Sequence, residues 1–213
     1  MSKNHIPEKE LQTDPFFSFL GKIFDYCKSN KTSVQWMAFG VVGAILLGII
    51  IGNYRQSSKD KDLIAFEQAT TKILIEQYLE DHSGGQYYPQ ALFKLANYHY
   101  DDGKYKDAVA GYEELLKKYP DNILADQALL GIGYANIEMG NYDDAVNSFQ
   151  NLIEKYPASP FISDANLNLA RSLMKQGQYQ EAKEVVDAFV EDNPNSVLAP
   201  EAEKLLPEIN RKL

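Results

Sequence analysis

The sequence contains one cysteine, three histidines and one tryptophan among 213 residues. The single cysteine, Cys27, excludes an internal disulfide, and the lack of cysteine beyond residue 55 fits either side of a membrane. The three histidines, His5, His82 and His99, do not have the spacing of metal ligands. We interpret His99 as a packed histidine on the inner side of a helix rather than as a ligand.

Catalytic motifs are also missing. The sequence has no glycine-rich loop of the kind that cradles phosphate, and no Ser, Cys or Lys lies in a motif typical of a nucleophile. The acidic pairs Asp101-Asp102 and Asp143-Asp144 flank predicted helix ends, where turn and cap residues are expected. We therefore predict that the protein is not an enzyme and has no catalytic residues, no metal and no cofactor.

Charge is distributed unevenly along the chain. The net charge is -9, but residues 1–55 carry six Lys or Arg against four acids, whereas residues 56–213 carry fifteen against twenty-six. An acidic C-terminal portion repels phosphate backbones. Nucleic acid is therefore not an expected partner.

A long apolar run lies near the N-terminus, where no charged side chain occurs between Lys31 and Arg55. As a helix, Trp36 to Tyr54 would cover about 28 Å, close to the thickness of a bilayer core. The two aromatic residues would then lie at the headgroup levels. We predict a transmembrane helix over residues 34–54. The alternative, a cleaved signal peptide, would have an unusually long polar lead and no convincing cleavage site.

Small residues recur every four positions along this span, at Gly40, Ala44, Gly48 and Gly52. Such a stripe allows another helix to approach closely, so the span would permit a homodimer through the transmembrane helix. Glycine that simply faces lipid is the alternative. Lys and Arg flank both ends of the span, so charge does not decide its orientation.

A short amphipathic helix is predicted upstream, within the N-terminal tail of residues 1–33. Asp14 is a plausible N-cap and Pro15 suits the first helical position. One face would then be apolar, consisting of Phe16, Leu20, Ile23, Phe24 and Cys27. This pattern is typical of a helix lying in the membrane interface, and packing against a partner protein is the alternative.

A repeat of 37 residues dominates the rest of the sequence. The stretch GKYKDAVAGYEELLKKYP (103–120) returns as GNYDDAVNSFQNLIEKYP (140–157) and as GQYQEAKEVVDAFVEDNP (177–194). Apolar residues with helical spacing occur both before and after each glycine, and the proline closes the second run. Each unit is therefore predicted to be a helix A, a tight turn and a helix B.

The fixed positions of each unit have physical roles in this arrangement. Gly103, Gly140 and Gly177 would end helix A in the left-handed conformation that glycine adopts without penalty. Small residues would let the two helices approach closely. These residues are Ala96, Gly133 and Ala170 on helix A, opposite Ala108, Ala145 and Ala182 on helix B. Acids in the first turn of helix B complement the helix dipole, at Asp107, Asp144 and Glu181.

This pattern resembles the tetratricopeptide repeat, whose helical pairs stack into a solenoid. The resemblance covers residues 86–196 as three repeats and is carried by the small helix A residue, the Gly-x-Tyr turn, the helix B alanine and the closing proline. The period of 37 exceeds the usual 34, and the family's early tryptophan is replaced by Leu92, Leu129 and Asn166. The longer period resembles variants in bacterial envelope proteins, including outer-membrane assembly lipoproteins and cell-division coordinators.

The predicted fold is therefore all-α, an N-terminal single transmembrane helix followed by a tetratricopeptide-repeat solenoid. Residues 55–85 would form a connecting helix or a degenerate first repeat, and residues 197–213 a capping helix. Pro207 occupies the position where a small helix residue belongs.

The resemblance implies a concave groove lined by helix A residues that binds a protein partner or client peptide. The residues that match this face are Phe93, Asn97, Tyr100, Leu130, Tyr134, Ile137, Leu167, Arg171 and Met174. Phe93, Leu130 and Leu167 would form an apolar ladder suited to an apolar segment of a partner. The alternative is that the protein's own helix over residues 58–81 fills the groove.

Two functions remain open from the sequence. The layout resembles that of the ancillary subunits of the Sec translocon, which implies a membrane-anchored interaction scaffold or chaperone-like adaptor. The alternative is a structural subunit of an envelope or outer-membrane assembly without client binding. The resemblance implies a location in the inner (plasma) membrane, in contact with lipid through residues 34–54, with the repeats expected on the periplasmic or extracytoplasmic side.

Overall fold

The computed structural model describes residues 15–213, apart from the side chains of Pro15 and Phe17. His5 and Asp14 lie outside the described residues. Every regular element within 15–213 is an α-helix, which confirms the all-α prediction. The helices are α1 (Pro15–Ser29), α2 (Lys31–Gln68), α3 (Lys72–Asp81), α4 (Tyr88–Asp101), α5 (Tyr105–Lys118), α6 (Ala125–Glu138), α7 (Tyr142–Lys155), α8 (Ile162–Gln176), α9 (Tyr179–Asp192), α10 (Ala199–Glu203) and α11 (Leu206–Lys212).

The contacts divide the chain into two compact units, Met1–Ser58 and Lys59–Leu213. In the first unit, helix α2 contains an 18-residue window with a mean hydropathy of 2.3, and none of that window is buried. Within the described part of the chain, α2 is the one helix long and apolar enough to cross a membrane.

The second unit consists mainly of three helical pairs, α4 with α5, α6 with α7, and α8 with α9, and each of these helices also contacts the next helix along the chain. The glycine that ends the first helix of each pair has a positive φ, at Gly103 (72°), Gly140 (73°) and Gly177 (78°). A side chain is strained in this left-handed region, so the predicted role of these glycines is confirmed. The acids predicted for the first turn of helix B lie there in α5, α7 and α9.

Small side chains set the distance between the paired helices. The predicted alanines of both helices are fully buried, at Ala96, Ala108, Ala145, Ala170 and Ala182. A Cβ added at Gly133 would lie 2.4 Å from Cε1 of Phe149, and one at Gly111 would lie 3.0 Å from Cβ of Ala96. These two close approaches within the helical pairs involve Phe149 and Gly111, one turn beyond the helix B alanines that the sequence indicates.

A buried carboxylate attaches the start of the second unit to the first repeat. Asp62, near the C-terminal end of α2, accepts a hydrogen bond from the hydroxyl of Tyr78 at 2.7 Å and from the backbone N–H of Gln86 at 2.6 Å. The backbone N–H of Tyr87 lies 3.4 Å away and Nδ1 of His82 lies 3.1 Å away. Burial, together with the bond to Asp62, raises the pKa of Tyr78 above its usual value. We call these residues the Asp62 cluster.

Aromatic rings surround the Asp62 cluster. The ring of Phe66 stacks on that of Tyr87 with centroids 5.3 Å apart, and Tyr78 stacks on His82 at 4.7 Å. A Cβ at Gly85 would lie 2.5 Å from Oδ1 of Asp62, so the loop can approach the carboxylate only because this residue is glycine. Hydrogen bonds and ring contacts together fix the end of α2 and helix α3 on α4.

The C-terminal segment differs from the predicted single capping helix. It forms two short helices, α10 and α11, both of which contact α9. Pro207 lies in the first turn of α11, where its missing N–H is not required, whereas in a continuous helix it would remove a hydrogen bond. Ile209 of α11 is fully buried, so this segment covers the end of the core.

Replacing Ala145 by leucine tests the close packing of the helical pairs. The added side chain has no space at a fully buried position, so we expect the free energy of unfolding of a fragment of residues 59–213 to fall by about 1–3 kcal/mol. Urea denaturation measures this change. Ala110→Leu, at an exposed position of α5, is the matched control and should leave stability nearly unchanged. Equal stability of the two variants would contradict the packing.

Replacing Asp62 by alanine tests the Asp62 cluster. The change removes the acceptor of two backbone N–H groups and one phenol, and we expect a local loss of about 2 kcal/mol or more. Because stability in a repeat stack is a sum over neighbouring units, the loss should be confined to the N-terminal end of the stack. Hydrogen exchange of the 59–213 fragment should therefore accelerate in α3 and remain unchanged in α7. Asp81→Ala, at an exposed acid of α3, should change neither.

Candidate functional site

The predicted groove residues lie on the first helix of each pair, along one face. Phe93, Asn97 and Tyr100 of α4 are spaced four and three residues apart, which places them on the same side of the helix. Helices α4 and α6 also contact one another directly. Eight of the nine predicted residues are partly exposed. We call this face the inner face.

Leu167 is the exception. It is only 3% exposed and belongs to the hydrophobic core around the second and third repeats. The predicted apolar ladder therefore lacks its third member, because Leu167 already packs within the protein. Phe93 and Leu130 remain partly exposed on α4 and α6.

The aromatic residues of the inner face rest on the second helix of their own pair. The ring of Phe93 lies 5.6 Å from that of Tyr112, and the ring of Tyr134 lies 6.0 Å from that of Phe149. The Tyr112 hydroxyl donates to Oδ1 of Asn97 at 2.5 Å, so that amide oxygen already has a partner. These contacts hold the inner face in place from beneath.

An open pocket of about 640 Å³ lies at the third repeat. It brings together three of the predicted groove residues, Ile137, Arg171 and Met174. Arg171 donates from Nη2 to Oε1 of Glu201 at 2.5 Å, which ties the pocket to the C-terminal helices. Lys175, which the same pattern places on this face, also lines the pocket. The remaining lining residues were not indicated by the sequence, namely Tyr142, Asn168, Ser172, Tyr179, Leu205 and Glu208.

The charges of the inner face differ between its two ends. Burial raises the pKa of Tyr100, and the nearby carboxylate of Glu138 raises it further, followed by smaller contributions from Tyr105 and Asp101. The pocket at the third repeat contains Arg171, Lys175 and Glu208, and Arg171 is paired with Glu201. The first end of the inner face is therefore acidic, whereas the pocket has charges of both signs.

The protein's own helix does not fill the groove. Residues of α2 and α3, including Phe66 and Ile75, pack against Ala91, Leu95 and Tyr98 of α4. These three residues are displaced by two positions from Phe93, Asn97 and Tyr100, which places them on the opposite side of the helix. The alternative in which the 58–81 helix occupies the inner face is therefore wrong.

The remaining sequence predictions concern histidine, metal and the apolar span. Nδ1 of His99 lies 3.4 Å from Nζ of Lys72, and its half-buried side chain is part of the packed structure. Residues 15–213 contain no group of three or more His, Cys, Asp or Glu side chains arranged to hold a metal ion. Apart from the adjacent residues and the helix's own backbone, no atom lies within 4 Å of a Cβ built at Gly40, Gly48 or Gly52, so pairing through this stripe stays a prediction.

Stacked helical pairs with left-handed glycines at the internal turns and a lined inner face define a repeat protein of the kind that offers an extended binding surface. Residues 90–122 match the tetratricopeptide repeat model. Residues 124–203 match the model of a second family, YfiO, described as outer membrane lipoprotein. Both predicted resemblances are thus confirmed. Among curated protein sequences, none matches this chain.

Several solved structures share this fold. A tetratricopeptide repeat protein from Parabacteroides merdae ATCC 43184 is 16% identical with a TM-score of 0.57, over 73% of this chain and 59% of its own length. The chain therefore spans less than two thirds of that protein. MamA is 17% identical with a TM-score of 0.51 over 75% of this chain and 86% of its own. MamA of Desulfovibrio magneticus RS-1, from residue 41, is 14% identical with a TM-score of 0.50 over 74% and 93%.

The buried phenol of Tyr112 predicts how the stability of the repeat domain changes at alkaline pH. Burial raises its pKa from the usual 10.0 to about 12. Below pH 10 both the folded and the unfolded state hold the proton. As the pH rises from 10 towards 12 the unfolded phenol ionises first, so stability is lost over this range.

We therefore expect Tyr112→Phe to flatten the decline in unfolding free energy of the 59–213 fragment between pH 9 and pH 11.5. The lost hydrogen bond to Asn97 would lower stability by a similar amount at every pH, which separates it from the ionisation effect. Urea denaturation at several pH values measures both. An identical slope in the variant and the parent would contradict this assignment.

Proposed function

We propose that the protein is a membrane-anchored interaction scaffold of the bacterial cell envelope that binds a segment of a protein partner or client on its inner face. The observation that carries this proposal is the open pocket at the third repeat, where apolar side chains and charged side chains of both signs surround a volume of about 640 Å³. A pocket of this size can take one or two large side chains of a bound segment.

The chemistry of the inner face supports an amphipathic partner. Phe93, Tyr134, Ile137 and Met174 offer partly exposed apolar surface, which suits the apolar residues of an extended or helical segment. The acidic first end of the inner face favours a partner segment with a basic residue at that end. These side chains pack on the buried core of the repeats, so the inner face is already formed before a partner binds. A preformed surface lowers the entropic cost of association.

The anchor rests on helix α2, whose apolar window matches the thickness of a bilayer. The match of residues 124–203 to an outer membrane lipoprotein family supports a role in the cell envelope. We infer a single span in the inner membrane, lipid contact over residues 34–54 and repeats on the periplasmic side. The small-residue stripe on this helix adds a homodimer to the proposal.

A second function is favoured by the same family match. A structural subunit of an envelope or outer-membrane assembly would use the inner face for one permanent neighbour instead of for exchangeable clients. The two functions predict different products when the protein is crosslinked to its neighbours. A scaffold for clients yields several substoichiometric adducts, whereas a structural subunit yields one neighbour at fixed stoichiometry.

Site-specific photocrosslinking tests the inner face. A photoreactive residue replaces Tyr134 in the full chain expressed in its own membrane, and we expect adducts to other proteins. The control places the same residue at Gln150, which is exposed on α7. Ile137→Asp combined with Met174→Asp should abolish the Tyr134 adducts, because it introduces charge into the apolar part of the pocket.

Three results would contradict the proposal. The first is that the photoreactive residue at position 134 forms adducts only within the chain. The second is that position 150 gives as many adducts to other proteins as position 134, and the third is that the double substitution leaves the adducts unchanged. Each of these would show that the inner face is not a binding surface. Protease treatment of spheroplasts tests the sidedness separately, and protection of the repeats would place them in the cytoplasm.

A further inference from the structure

Helix α1 has an exposed apolar face. Phe24 is 70% exposed, and Leu20 and Ile23 are 42% and 44% exposed. With Phe16 and Cys27 these side chains recur at spacings of three and four, so they form one stripe along about three turns of the helix. An exposed apolar stripe of this size marks a surface that is covered in use.

The opposite face of α1 is polar and has a basic excess. Lys22, Asp25 and Lys28 are three residues apart and follow one line along the helix, with the acid between the two lysines. Long lysine side chains at these positions can extend past an apolar surface while their ammonium groups stay in water. The following helix begins with Lys31, which adds a further positive charge at the same end.

The connection to α2 brings this face close to the start of the apolar span. Asn30 alone separates the two helices, and its backbone N–H donates to the carbonyl of Tyr26 at 2.9 Å. Its side-chain Nδ2 donates to the same carbonyl at 3.2 Å, as does Oγ of Ser29 at 3.1 Å. Three donors on one carbonyl mark the end of α1. Trp36, where the apolar run begins, follows about 9 Å further along the helix.

We propose that α1 binds the surface of the bilayer that α2 crosses, with its apolar face among the acyl chains and its lysines at the phosphate level. The continuity of α1 with the span favours lipid over a separate protein, because a bilayer is then within reach without any further partner. The basic excess favours a leaflet that contains anionic phospholipid. This inference rests on the membrane anchor of the proposed function and adds a second, in-plane lipid contact to it.

The single cysteine makes a direct test practical. Cys27 lies on the apolar side of α1 and is the only cysteine in the sequence, so a nitroxide can be attached to the full chain without any substitution. The labelled protein is reconstituted into nanodiscs of phosphatidylcholine and phosphatidylglycerol. Power-saturation electron paramagnetic resonance then measures how accessible the nitroxide is to two relaxing agents. Oxygen concentrates among the acyl chains, whereas a water-soluble nickel chelate stays in the aqueous phase.

Two labelled variants serve as matched controls, each with Cys27→Ser. Asp25→Cys places the label on the polar face of the same helix, two residues away. Leu46→Cys places it near the middle of the predicted span, on the side of α2 opposite the small-residue stripe. We expect the ratio of oxygen to nickel accessibility to be several-fold higher at position 27 than at position 25, and high at position 46.

A high ratio at position 46 combined with equal, low ratios at positions 25 and 27 would overturn the inference while the anchor stands. In that case the apolar face of α1 does not contact lipid and belongs to a protein partner. A low ratio at position 46 would instead overturn the anchor itself, and with it the in-plane contact.

Discussion

The close approach of paired helices at alanine and glycine positions is the constraint on which the repeat domain depends. Ala108, Ala145 and Ala182 are fully buried, and Gly133 leaves no room for even one more carbon beside Phe149. Without this approach each pair would expose its apolar side, and the next pair would have no flat surface to stack on. The inner face follows directly, because the same stacking orients the first helix of every pair to one side.

The repeat architecture could be predicted because it depends on residues that recur at fixed offsets. Three of these residues have a local physical cause, namely the glycine with positive φ, the buried alanine and the acid in the first turn of the second helix. Their recurrence therefore predicts the repeat without information about the rest of the chain. The helical nature of residues 15–213 follows from the same patterns. The long apolar helix was equally accessible, since length and hydropathy alone define it.

The inner face was less predictable, because the exposure of its side chains depends on contacts between neighbouring helical pairs. Leu167 occupies the same offset as Phe93 and Leu130 but is buried, whereas those two are partly exposed. Leu205 and Glu208 line the pocket only because the C-terminal segment folds into two short helices against α9. Asp62 was missed for a related reason. Its three hydrogen-bond donors come from α3 and the loop before α4, and no periodic signal connects them to it.

The Asp62 cluster also joins parts of the chain that are distant in sequence. Asp62 lies 16 residues before Tyr78 and 24 residues before Gln86, so its hydrogen bonds close a loop of chain that contains α3. Closing such a loop costs conformational entropy, which the bonds and the ring contacts around them must offset. The end of α2, helix α3 and the loop before α4 are therefore held as one piece, and a substitution at any one member of the cluster loosens all three.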